Sequence, residues 1–249
     1  MRLFEILIFL ITILCACMKA SAEQLVVYAE DARPFVYLEN DKVTSPTSDY
    51  IRALVTRAGY TPDIRLMSWS GIMHTAEANQ PVVFFPLART KEREAKYQWI
   101  GTIVRFQDYR LYRLTKRTDI VVKKLSDAKK YRIGAIEADA REQYLLENNF
   151  RYRKEAELTS IVDNKEGMRL LQVGRLDLLP LSLENFNALC PPHCADYESV
   201  FNLNLNLDLQ LAANKATPHD VISRLRRAYD ALEKDGTRAR MVTTNQRAQ

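Results

Sequence analysis

The chain has 249 residues, of which 47% are hydrophobic and 27% charged, with a formal net charge of +5. A mature chain of this length holds one large domain or two small ones. The basic residues are spread without a tract, so nucleic acid is not implied, and a total of seven glycines with no phosphate-cradling loop argues against nucleotide binding.

In chain order, Arg2 precedes an apolar run over residues 3–16 that only Glu5 and Thr12 interrupt, and Ala20-Ser21-Ala22 follows. This pattern predicts a secretory signal peptide over residues 1–22, because its apolar core is shorter than the roughly 20 residues of a membrane-spanning helix. A lipoprotein modified at Cys17 is the lesser alternative, since a cysteine at Cys15, two places earlier, is unusual there.

Gln24-Leu25-Val26-Val27-Tyr28 reads as a buried strand, and Ile51, Leu54, Val55 and Ala58 share one face of a helix over residues 49–58, capped by Ser48 or Asp49 and stopped at Gly59. A strand over 63–67, a helix over 71–78 and a strand over 82–85 continue the alternation, which indicates parallel α/β structure. Residues 105–114 alternate as an extended crossing. A second series follows, with strand 131–136, helices 140–148 and 165–173, and strand 176–181. Leucine at every second position over 203–211 requires a strand and suits a return crossing. The last helix has Thr217 as cap, Pro218 in its first turn, a stripe of Val221, Leu225, Tyr229 and Leu232, and Gly236 as stop.

Two series joined by two crossings predict an α/β protein of two lobes, each a mixed sheet flanked by helices, joined by a two-strand hinge around a ligand cleft. Residues 23–110 with 206–249 are assigned to the first lobe and 111–205 to the second. Cys190 and Cys194 are the cysteines left after the signal, and an oxidising compartment pairs them as a local disulfide. His193 lies between them, but no fourth ligand is near, so no metal is expected. His74, His193 and His219 sit in no ligand spacing, and no Gly-x-Ser-x-Gly motif occurs.

Four segments carry a family resemblance: Asp31-Ala32-Arg33-Pro34-Phe35; Arg89-Thr90-Lys91-Glu92-Arg93 followed by Tyr97-Gln98-Trp99; Gly174-Arg175-Leu176-Asp177; and Leu232-Glu233-Lys234-Asp235-Gly236-Thr237. In order and spacing the chain resembles the family 3 extracellular solute-binding proteins, whose amino-acid-binding members serve ABC importers. The resemblance implies a type II periplasmic binding protein fold and periplasmic capture of a small carboxylate-bearing solute. It further implies a monomer without cofactor, working with a membrane permease or, alternatively, handing its ligand-bound form to a membrane sensor. On this resemblance Arg93 receives the ligand carboxylate, with Arg89 a second donor beside Thr90, and Phe35 and Trp69 form the apolar wall, with Tyr37 on the same strand face.

The chain also departs from that pattern. The second-lobe Asp that takes a ligand ammonium is replaced by Ser182, with Glu184 two residues on, and the family's Gly-Thr-Thr reads Ala138-Asp139-Ala140-Arg141. A hydroxyl cannot supply the missing charge. Asp139 either caps its helix or takes over the ammonium contact, and Arg141, if it points inward, suits a ligand with a second acidic group. An enzyme of the dehydratase type, with Glu184 or Asp139 as acid, is the catalytic alternative to a binder.

Overall fold

The computed structural model describes residues 22–106, 108–153, 157–205 and 207–243. The predicted signal peptide, all but Ala22, lies outside the described residues. Two sheets organise the chain. The first-lobe strands are β1 (Gln24–Ala29), β4 (Thr61–Leu66), β5 (Val83–Ala88), β6 (Gln98–Phe106) and β12 (Leu207–Ala213), in the order β4-β1-β5-β12-β6. β1 runs parallel to β4 and β5, whereas β12 runs antiparallel to β5 and β6.

The second lobe uses β8 (Arg132–Ile136) and β9 (Glu157–Ile161) as a parallel pair, and β10 (Leu179–Ser182), β7 (Tyr109–Leu114) and β11 (Tyr197–Asn202) in the order β10-β7-β11. A parallel bridge from Ile133 to Leu178 joins the two sets. The spatial order β9-β8-β10-β7-β11 thus repeats the first lobe: second strand, first, third, reversed strand, edge. Each lobe is one open α/β unit whose third strand meets a reversed strand delivered by the crossing chain.

Helices fill the faces. They are α1 (Pro46–Arg57), α2 (Trp69–Glu77), α3 (Ala140–Glu147), α4 (Asn164–Gln172), α5 (Leu183–Leu189) and α6 (His219–Lys234). α1 buries Tyr50, Ile51, Leu54 and Val55 completely, which at about 1.5–3 kcal/mol per large apolar side chain makes it a principal anchor of the first lobe.

Several expectations are corrected by the backbone. α1 begins at Pro46, because proline fits the first helical position and the Ser45 side chain accepts from the Ser48 amide, 2.9 Å away; neither Ser48 nor Asp49 is the cap. α2 starts at Trp69, capped by Ser68. Thr217 does not cap α6: its hydroxyl accepts from the Val82 amide at 3.1 Å, tying the helix start to the head of β5. The crossing expected over residues 105–114 is made by two strands. β6 ends in the first sheet and β7 starts in the second, so the chain crosses between Phe106 and Tyr109 and returns between Asn202 and Leu207. Leu203 and Leu205 belong to that return and not to a strand. The hairpin of β2 (Tyr37–Glu39) and β3 (Lys42–Thr44) turns on Asn40 and Asp41, both in the left-handed region.

The lobes lie closed on each other. Tyr109 and Leu111 of the second lobe share an apolar cluster with Val27 and Phe35 of the first. The Trp69 indole donates to the Glu137 carbonyl at 3.1 Å, Asn185 Nδ2 donates to the Arg33 carbonyl at 2.7 Å, and Lys165 pairs with Asp31 at 2.7 Å. Cys190 and Cys194 form the disulfide expected of them, just beyond α5.

Candidate functional site

Strand ends and helix starts converge between the lobes, as open α/β sheets dictate. They line a partly open chamber of about 50 Å³. From the first lobe come Glu30 at the end of β1, Phe35, Trp69 at the start of α2, Ala88 at the end of β5, and Arg93; from the second come Tyr109, Asp139, Arg141, Asn164 and Asn185. Leu207 and Leu209 of the returning chain complete its lining.

Arg93 is 7% exposed and its guanidinium stands 5.5 Å from the Trp69 ring centre. It donates to the Ala88 carbonyl at 3.0 Å and, across the cleft, to the Ala138 carbonyl. Ala138 sits in the left-handed region at φ 59°, the backbone geometry that suits the glycine of the Gly-Thr-Thr pattern, and this rotation aims its carbonyl at Arg93. Burial pulls the Arg93 guanidinium below its ordinary value, with the Asp139 charge opposing that shift. A guanidinium has five N–H donors. Two of them are engaged by described residues, so three are available to a ligand.

Arg141 is different. Its donors reach both Asp139 oxygens at 2.7 and 3.1 Å, Asn164 Oδ1 at 2.9 Å and the Pro180 carbonyl at 3.0 Å. Asp139 also accepts the Arg141 amide at 2.8 Å as cap of α3. Burial pushes the Asp139 carboxyl up, but the Arg141 charge and hydrogen bonds outweigh it and hold the group below its ordinary value. Arg141 and Asp139 therefore neutralise each other, and neither is free for a ligand group of opposite charge.

Glu30 is the counterpart of Arg93. It lines the chamber and makes no hydrogen bond or ion pair with another described residue. Burial first, then the Asp139 charge, push its carboxyl up to about 7, against the opposing pull of Arg141. Sequence reasoning missed Glu30, whose signal was its place at the carboxyl end of the first strand.

Of the residues read from the sequence, the fold brings Phe35, Trp69, Arg93, Asp139 and Arg141 to the chamber. The others lie elsewhere. Arg89 is a surface side chain clamped by both oxygens of Glu94, as its place one residue beyond β5 turns it outward. Thr90 bonds Gln143 at 3.3 Å across the lobe boundary. Ser182 is fully buried and caps α5, accepting from the Asn185 amide at 3.1 Å and donating to Asn185 Oδ1 at 2.9 Å. It thus orients Asn185, which does line the chamber. Tyr37 and Glu184 line a neighbouring groove of about 510 Å³, with the Arg33 guanidinium 4.2 Å from the Tyr37 ring centre. Among the described residues, no group of three or more His, Cys, Asp or Glu is placed to hold a metal.

No protein-family model matches the chain, and no curated protein matches it. Solved structures do. A histidine kinase sensor domain with similarity to periplasmic binding proteins superposes with a TM-score of 0.78 at 15% identity, covering 91% of this chain and 97% of the other. An ancestral arginine-binding protein bound to arginine gives 0.73 at 18% identity, covering 90% and 98%. The arginine-, lysine-, histidine-binding protein ArtJ from Geobacillus stearothermophilus gives 0.74 at 14% identity, covering 89% and 94%. At these identities the likeness establishes the fold, that of the periplasmic binding proteins, over nearly the whole described chain.

Proposed function

We propose that this chain is a periplasmic solute-binding protein that captures a small zwitterion, an amino acid or a close relative, in the interlobe chamber. The observation that carries the reading is the charge left over in the chamber. With Arg141 and Asp139 paired to each other, Arg93 keeps three donors and Glu30 keeps a whole carboxylate. One free cation and one free anion match a ligand that carries one of each. A guanidinium offers parallel donors to two carboxylate oxygens, and such charge-assisted bonds strengthen where water is excluded. Phe35 and Trp69 supply the apolar wall such a site needs. Glu30 fills the chemical role vacated by the second-lobe acid that this sequence lacks.

The chamber of about 50 Å³ has room for a handful of waters. A ligand of amino-acid size therefore holds the lobes farther apart than they stand here. The solved proteins of this fold named for amino acids support the class of ligand. Delivery to an ABC importer is the partner reading. Presentation to a membrane receptor is the second, supported by the sensor domain of the same fold.

We read the activity as binding without turnover, with Glu30 in place of Glu184 or Asp139 as the acid a catalytic alternative would use. Native mass spectrometry of the purified protein, followed by calorimetry with free amino acids, tests the reading. A co-purified zwitterion recovered unchanged after incubation supports it. A chemically altered product sinks the binder reading, and a bound neutral solute sinks the zwitterion.

A further inference from the structure

We infer that the chamber selects an amino acid whose side chain carries an uncharged oxygen acceptor, an amide or a hydroxyl, and that Asn164 reads it from the second lobe. The inference rests on the proposed function, in which Arg93 and Glu30 take the ligand carboxylate and ammonium, and it names what the rest of that site recognises.

Arg141 decides which way the Asn164 amide faces. A guanidinium has donors and no acceptor, so a side-chain amide beside it must turn its oxygen towards it. Asn164 Oδ1 accepts from Arg141 Nη1 at 2.9 Å, and the same nitrogen donates to the Pro180 carbonyl at 3.0 Å. Both Asp139 oxygens hold the other side of the guanidinium, at 2.7 and 3.1 Å. Arg141 is thus fixed on three partners, and it fixes Asn164, the first residue of α4. With the oxygen held, the end of the amide that remains is the NH2. Asn164 lines the chamber, and its NH2 donates to no other described residue.

The other polar side chains on the second-lobe wall sort the same way. Asn185 has its oxygen taken by the Ser182 hydroxyl and one N–H by the Arg33 carbonyl. Asp139 is spent on Arg141 and on the cap of α3. What Asn164, Asn185 and Arg141 have left over is therefore donors only. An oxygen acceptor satisfies such a donor, whereas a methyl group in its place leaves it unpaired, at a cost comparable to a lost hydrogen bond. Charge narrows the choice further. Arg141 offsets Asp139 and Lys165 offsets Asp31, while the ligand's carboxylate and ammonium use Arg93 and Glu30. A third charge on the ligand, of either sign, would enter the cleft without a partner and lose more hydration than it regains.

Titration calorimetry of the mature protein tests the inference with matched pairs of free amino acids: asparagine against leucine, glutamine against norleucine, and threonine against valine. Aspartate and 2,4-diaminobutyrate serve as charged analogues of asparagine. The polar member of the best-bound pair should bind roughly tenfold or more tightly than its apolar partner, and asparagine more tightly than either charged analogue. Asn164→Asp keeps an oxygen for Arg141 and puts an acceptor where the NH2 was. It should therefore reverse the order, binding 2,4-diaminobutyrate more tightly than asparagine. An apolar or charged member that matches its polar partner in the wild type overturns the inference while amino-acid binding stands, and so does a variant that keeps the wild-type order. Should the variant not fold, the wild-type pairs decide alone. Binding of no free amino acid at all removes the proposed function and this inference together.

Discussion

At the scale of single residues, two buried arginines lining the same chamber have opposite roles because of what their donors already hold. Arg141 has four of its five donors engaged, by Asp139, Asn164 and a backbone carbonyl, and its charge is met by Asp139, so it is part of the wall. Removing its partner, as in Asp139→Ala, leaves an uncompensated buried charge and should lower stability by about 3–5 kcal/mol, read from a urea melt. Arg93→Ala should weaken ligand binding by well over tenfold, about 2 kcal/mol or more for a lost charge-assisted pair, in titration calorimetry. An unchanged affinity would remove Arg93 from the site. Arg93 was legible in the sequence because a short motif carried it. Glu30 was not, because a lone acid at a strand end has no pattern of its own until the opposing lobe shows that nothing there pairs with it.

At the scale of elements, the site is held by helix starts. α3, α4 and α5 each begin at the cleft, and each is capped by a side chain: Asp139, Asp163 and Ser182. Ser182→Ala should cost about 1 kcal/mol of stability through the lost cap. It should also weaken ligand binding, because Asn185 loses the hydroxyl that fixes its amide; the same calorimetric titration reads both the wild type and the variant. The Cys190–Cys194 bridge closes a short loop at the end of α5, and the chain-entropy account gives about 2 kcal/mol for a loop of that size. Reduction should lower the unfolding free energy read from a urea melt by about that amount and leave the first-lobe elements in place. The long amphipathic helices and β-branched strands were readable from periodicity. Their first turns were less so: proline and serine at Pro46 and Ser45 moved a helix start three residues upstream, and Thr217 serves β5 in preference to its own helix.

At the scale of the whole molecule, two sheets of matching order face each other across two chain crossings. That arrangement follows from the alternation of strand and helix, which is why structures only 14–18% identical share it. The strand order itself could not be read from local pattern, since β12 reaches its place between β5 and β6 from the far end of the chain. The lobes meet through an apolar cluster and a few polar contacts, the Lys165–Asp31 pair and the Asn185–Arg33 hydrogen bond among them.

The central claim is that the chamber reads one positive and one negative group on a small solute. Titration calorimetry of the mature protein with a panel of free amino acids, and then with the N-acetyl and carboxamide derivatives of the tightest binder, tests it most directly. Blocking the amine removes the partner of Glu30, and blocking the acid removes the partner of Arg93. Each derivative should therefore bind at least tenfold more weakly than the parent, about 1.4 kcal/mol or more. A derivative that binds as tightly as the parent would contradict the account.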